Sequence, residues 1–136
     1  MAMIETGKEE PNAYMMHIHS NLTIILDNKP AVIPSQIGID NSLWKGHNLD
    51  KYGTPGMPMP GGPMPVMAPL HTHDNLGLIH IESQINRDYR LNEFFKIWGV
   101  DFNGKSVKAT VNGKQVVDYE NIILKDKENI ALDVKS

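Results

Sequence analysis

At 136 residues, 40% hydrophobic and 21% charged, the chain has the size and make-up of one globular domain with a hydrophobic core, not of a disordered segment. Its net charge of -3, with basic residues scattered, argues against a nucleic-acid surface, which needs a clustered positive footprint. The absence of cysteine excludes disulfides, iron–sulfur clusters, thiolate zinc sites and a blue-copper centre with a Cys ligand.

Residues 1–13 read as a polar tail, and 14–136 as a single α+β domain. Met1-Ala2-Met3 followed by a polar run to Pro11 reads as a linker left when an upstream leader or membrane anchor is removed. From Met16 the pattern has period two. Met16, Ile18, Leu22, Ile24 and Leu26 alternate with His17, His19, Asn21 and Thr23, which predicts a half-buried strand with its histidines opposite the aliphatic row. Asp27-Asn28-Lys29-Pro30 signals a turn, with Ala31-Val32-Ile33 returning as the hairpin partner.

Between Gly53 and Pro69 six prolines, with glycine and methionine, remove backbone donors and predict a long loop. Leu78-Ile79-His80-Ile81-Glu82 is a further strand, with Ile79 and Ile81 on one face and His80 and Glu82 on the other. Leu91, Phe94, Phe95 and Trp98 fall at helical spacing, closed by Gly99 in the left-handed C-terminal position. Val107–Val111 and Gln115–Tyr119 flank Asn112-Gly113, the signature of a type I′ hairpin, and Ile130–Val134 is the last strand. This order predicts a mixed or antiparallel sheet with one short helix packed on it, in a β-grasp-like arrangement.

Five of the six histidines form the pattern H-x-H … H-x-H-x6-H: His17, His19, His71, His73 and His80. Each H-x-H pair puts two imidazoles on one side of the chain, about 7 Å apart if extended. Imidazole suits zinc, copper, nickel and iron, and three or four such ligands from separate segments are what these ions need. One pair alone is weak evidence; two pairs and a fifth histidine predict a transition-metal site. The bland alternative is a row of exposed histidines that picks up metal adventitiously. His47 lies apart in a polar loop and reads as a bystander. Asp74 and Glu82 are the nearest carboxylates in sequence, as partners for imidazole N–H groups or as a general base on bound water. Plain solvated carboxylates are the equal alternative for both.

Met57, Met59, Met64 and Met67 precede the second histidine pair. Thioether sulfur favours copper, so sulfur ligation from this loop tilts the expected metal to copper over zinc. The competing reading is a hydrophobic lid that uses methionine for adaptable packing.

The segments His17–Ile24, Pro34–Ile39, Leu70–Ser83 and Phe94–Gly99 together resemble a family of small secreted or membrane-anchored archaeal and bacterial proteins. The motif L-H-T-H-D-x-x-G-x-I-H-I-E is the most specific part of that resemblance, which spans most of residues 16–134. It implies that the five histidines belong together and that the protein works outside the cytoplasm. It carries no activity with it. The chain departs from the family pattern in the Met-Pro loop and at Arg90, where relatives have Thr or Ser. That departure leaves the expected helix cap weaker at Arg90 or shifts it to Asp88 or Asn92.

Three uses of the metal stay open on these residues. The first is copper transfer, buffering or storage outside the cytoplasm. The second is a zinc enzyme for carbonic-anhydrase-like hydration or for hydrolysis, with Glu82 or Asp74 as proton acceptor. The third is a surface module whose metal is structural or bridges a homo-oligomer.

Overall fold

A computed structural model describes residues 15–54 and 66–136. The polar tail, and Met57, Met59 and Met64 of the loop, lie outside the described residues.

The alternating segment at the start forms β1 (Met16–Leu26), and its hairpin partner is β2 (Lys29–Ala31). The turn is tighter than expected: Asp27 and Asn28 alone make it, both with positive φ (49° and 69°), so pairing resumes at Lys29 rather than Ala31. Asn and Asp tolerate that conformation, which suits a two-residue hairpin. Pro30 sits in β2 without cost to the ladder because β2 is an edge strand.

Leu70 and His71 form a two-residue strand β3, antiparallel to β4 (Leu78–Ser83). The sequence pattern gives no sign of this strand, because two residues are too few to display a period. β4 in turn pairs antiparallel with the first half of β1. Helix α1 (Leu91–Trp98) follows, then β5 (Ser106–Val111), β6 (Lys114–Val116) and β7 (Glu128–Lys135). The β5–β6 turn is Asn112-Gly113 with φ 52° and 85°, as its type I′ signature predicts. β6 ends earlier than expected, and Tyr119 belongs to a short 3-10 turn instead.

The sheet order is β3-β4-β1-β7-β5-β6, with β2 also on β1. β1 and β7 run parallel at the centre, and β7 pairs antiparallel with β5. The first hairpin, the helix, the second hairpin and a last strand parallel to the first are the β-grasp features. β3 and β4 extend the sheet beyond them. The chain is therefore α+β, with one short helix on a mixed sheet.

One face of this sheet is the core. Leu22 and Ile24 of β1, Ile79 and Ile81 of β4, and Ile130, Leu132 and Val134 of β7 are buried with Leu91, Phe94, Phe95 and Ile97 of α1. Ile97, rather than the half-buried Trp98, completes the helix stripe. The helix starts at Arg90, not at Asp88 or Asn92: the Glu93 carboxylate reaches back to accept the Arg90 N–H at 2.8 Å and also binds Arg87. Gly99 closes it with φ 89°. Because Ile79 and Ile81 point into this core, His80 and Glu82 must point out of the other face.

Candidate metal centre

Strand register assembles the site. His19 lies directly opposite His80, His17 opposite Glu82, and His71 opposite His80 from the other side. Three neighbouring strands thus set His19, His80 and His71 in one row, with His17 and Glu82 one step along it. His73 follows β3 and turns back over the row, edge-on to both His71 (centroids 4.9 Å) and His80 (4.6 Å).

The six side chains close a ring. His17 and His19 stand 5.1 Å apart by ring centroids and His19 and His80 4.6 Å. From His80 the ring continues through His73 to His71. His71 Nε2 then lies 2.6 Å from Glu82 Oε1, and Glu82 Oε2 lies 3.3 Å from His17 Nε2. All five expected histidines are therefore brought together, joined by one of the two expected carboxylates.

His71 anchors the ring. Its side chain is fully buried, whereas His17 is 52% exposed. Its Nδ1 donates to the Ala68 carbonyl at 2.7 Å, which directs Nε2 toward Glu82. With acceptors facing both nitrogens, a positive centre, either a proton or a metal ion, is needed between Nε2 and the carboxylate. A backbone carbonyl that fixes the tautomer and leaves the far nitrogen for an ion is the usual support of a metal-binding histidine.

The backbone around His71 is held from behind by the segment after β2. Gln36 N–H donates to Thr72 O, Thr72 N–H donates to Ile37 O, and the Thr72 hydroxyl donates to Pro34 O. Gly38 (φ 75°) lets this segment approach: a Cβ there would lie 2.6 Å from Leu70 O and 3.2 Å from His71 Cβ. Thr54 and Met67 form an isolated antiparallel bridge that ties the ends of the Met-Pro loop beside the ring.

Electrostatics favour the neutral form of His80 and His73. Burial, then repulsion by His73, His71 and His19, pushes His80 down to about 4. Burial and His71 lower His73 as well. The hydrogen bond from His71 lowers Glu82, keeping it an anion. His71, His73, His80 and Glu82 each offer one ligand atom, and these atoms all lie within 4.8 Å of one another.

The remaining predicted residues lie outside the ring. Asp74 Oδ1 accepts the Leu76 N–H at 2.9 Å, shaping the turn into β4, although its charge still favours a cationic His73. Met67 is packed as a buried hydrophobic residue. His47 binds Asp50 at 2.8 Å and stacks on Trp44, as a bystander would. What the sequence reading missed is backbone: the Ala68 carbonyl and the Gly38 approach have no side-chain signature. The spacing of Ala68 three residues before His71 is the sole trace.

No family model, curated protein or solved structure matches the chain.

Proposed function

We propose that this protein binds a transition metal, copper first, and works outside the cytoplasm in copper capture, buffering or transfer. The observation that carries the reading is the group of His71, His73, His80 and Glu82, with ligand atoms within 4.8 Å of one another. A tetrahedral ion with bonds of about 2.0–2.2 Å holds its donors about 3.3 Å apart. Closing the group onto an ion thus asks for a shift on the order of 1 Å, within reach of the exposed His73 side chain.

Three nitrogens and one carboxylate oxygen suit oxidised copper or zinc, and the Irving–Williams order puts copper above zinc on such a set. The lowered proton affinity of His80 and His73 lessens the competition with protons that metal binding otherwise meets. Exposure runs from His17 and His73 at the open side, through half-buried His19 and His80, to fully buried His71, and neighbouring rings stand about 5 Å apart. That gradient supports transfer, because an ion caught at the open side can exchange ligands stepwise toward the buried one. The resemblance to secreted and membrane-anchored proteins supports the location.

The test is elemental analysis of tag-free protein purified without added metal, beside the His71→Ala variant. Copper near one equivalent or more in the parent, and its loss in the variant, is the expected result. Metal-free protein with no affinity for copper or zinc would overturn the reading. A second reading is a zinc enzyme, favoured by the solvent-facing side that exposed His73 leaves open for water. Zinc at full occupancy together with carbon dioxide hydration or ester hydrolysis would select it.

A further inference from the structure

Glu82 presents its two oxygens to two different histidines on two different strands. Oε1 faces His71 Nε2 of β3 at 2.6 Å, and Oε2 faces His17 Nε2 of β1 at 3.3 Å. β4 lies between those strands, so the arrangement follows from register: Glu82 is opposite His17, and His71 is opposite His80 two residues away. A carboxylate held this way is placed to bridge. When each oxygen binds its own ion, the two ions stand about 3.5–4 Å apart, the separation of two-metal centres.

We propose that the ring holds two metal ions with Glu82 as the bridging ligand. The first position is the one proposed above, on His71, His73, His80 and Oε1, and the inference rests on that reading. The second consists of His17, His19 and Oε2. His17 and His19 are two apart on one face of β1, with ring centroids 5.1 Å apart and tilted by 48°, so their inner nitrogens can converge on one ion. The His19 backbone that carries this imidazole is held: its N–H donates to Asp126 Oδ1 at 3.0 Å, and its carbonyl accepts from Lys127 N–H at 2.7 Å. The second ion would have two imidazoles, one carboxylate oxygen and water on the exposed side. It is the looser and more exchangeable of the two, and so the port through which the first position fills. A lone surface ion pair between His17 and Glu82 is the competing account of the same contact, and it predicts a single ion.

The experiment is a copper(II) titration of the metal-free, tag-free full chain, read by calorimetry and by electron paramagnetic resonance with spin counting. The parent should bind two equivalents, the second at least about tenfold more weakly. Its spin count should rise to one and then fall as the second ion couples through the carboxylate. The His17→Ala/His19→Ala double variant should bind one equivalent, with first-site affinity within about threefold of the parent and a full one-ion signal. Should that variant misfold, His17→Gln alone, at an exposed position, carries the same comparison. Saturation of the parent at one equivalent overturns the second site and leaves the first standing. Two equivalents with two uncoupled spins also overturn it, since the second ion then sits elsewhere. Failure to bind even the first equivalent removes the reading beneath it, and is a different result from either.

Discussion

His71 and Glu82 meet at 2.6 Å between adjacent strands, with the imidazole wholly buried and the carboxylate side chain 13% exposed. The Ala68 carbonyl holds the other ring nitrogen, so His71 is oriented at both ends before any ion arrives. Glu82→Gln keeps the shape and removes the charge that faces Nε2. Metal affinity should fall on the order of 10–100-fold, and stability by about 1–3 kcal/mol as a buried hydrogen bond to a charged carboxylate is replaced by a weaker neutral one. Calorimetric titration and urea denaturation measure the two. His47→Ala, whose contacts are Asp50 and Trp44, should leave the affinity unchanged. An equal loss in both variants would show that the ring is not the binding site.

Acid should weaken the metal-free fold, and the direction follows from three groups. His80 titrates at about 4 in the fold, below its ordinary 6.5, because of burial first and neighbouring imidazoles second. His73 is lowered for the same reasons. A histidine whose folded value is depressed stays neutral in the fold while the unfolded chain takes up a proton. Its contribution is full above about pH 6.5 and is lost as pH falls from there to about 4, where the folded ring protonates too. Glu82 is lowered by its bond to His71, so it adds stability above 4.5 that is lost as pH falls through its folded value. All three push the same way. The urea midpoint of chelator-treated protein should fall continuously between pH 6.5 and 4, and the His80 ring proton should titrate near 4 by NMR. A His80 midpoint near 6.5 would mean that the ring is solvated.

Alternation in the sequence told which face His17, His19 and His80 take, because a period of two is a local property of the strand. His17 and His19 opposite Leu22 and Ile24, and His80 opposite Ile79 and Ile81, required nothing beyond residue type. Alternation does not tell which strands are neighbours or in what register. The pairing of His19 with His80 and of His17 with Glu82 is a tertiary choice between strands far apart in the chain. Glu82 therefore looked no more committed than Asp74, although one closes the ring and the other caps Leu76. β3 escaped notice because it is two residues long, held by Pro34–Gly38 on one side and β4 on the other. The α+β class, the helix and both hairpins were legible for the opposite reason: their turn residues and apolar stripes are contiguous.

Gly38 tests whether the backbone behind β3 sets the site. An alanine there would combine left-handed φ (75°) with a Cβ 2.6 Å from Leu70 O and 3.2 Å from His71 Cβ. Gly104 has a similar φ of 79° and nothing within 4 Å, so Gly104→Ala isolates the conformational cost alone, about 1 kcal/mol. Gly38→Ala should cost at least about 1–2 kcal/mol more, since backbone must move to admit the methyl group. It should also weaken metal binding, because the strand that moves carries His71. Gly104→Ala should not. Equal costs with intact binding in both would mean that β3 tolerates displacement without disturbing the ring.

Fold stability and metal affinity should separate across the two faces of the sheet. Phe94 is fully buried against the core face, and no ring histidine shares that face. Phe94→Ala should destabilise the metal-free protein by about 3–5 kcal/mol, the cost of lost burial plus a residual cavity. The register that builds the ring resides in β1, β3 and β4 and does not pass through that side chain. Metal affinity of the folded variant should then equal that of the parent. If so, metal at about 100 times its dissociation constant should raise the stability of both by the same increment, about 2.7 kcal/mol, because that increment depends only on affinity for the native state. Urea denaturation with and without metal measures it. A smaller increment in the variant would mean that packing beneath the sheet helps to hold the histidines in register, so that core and site act as one unit.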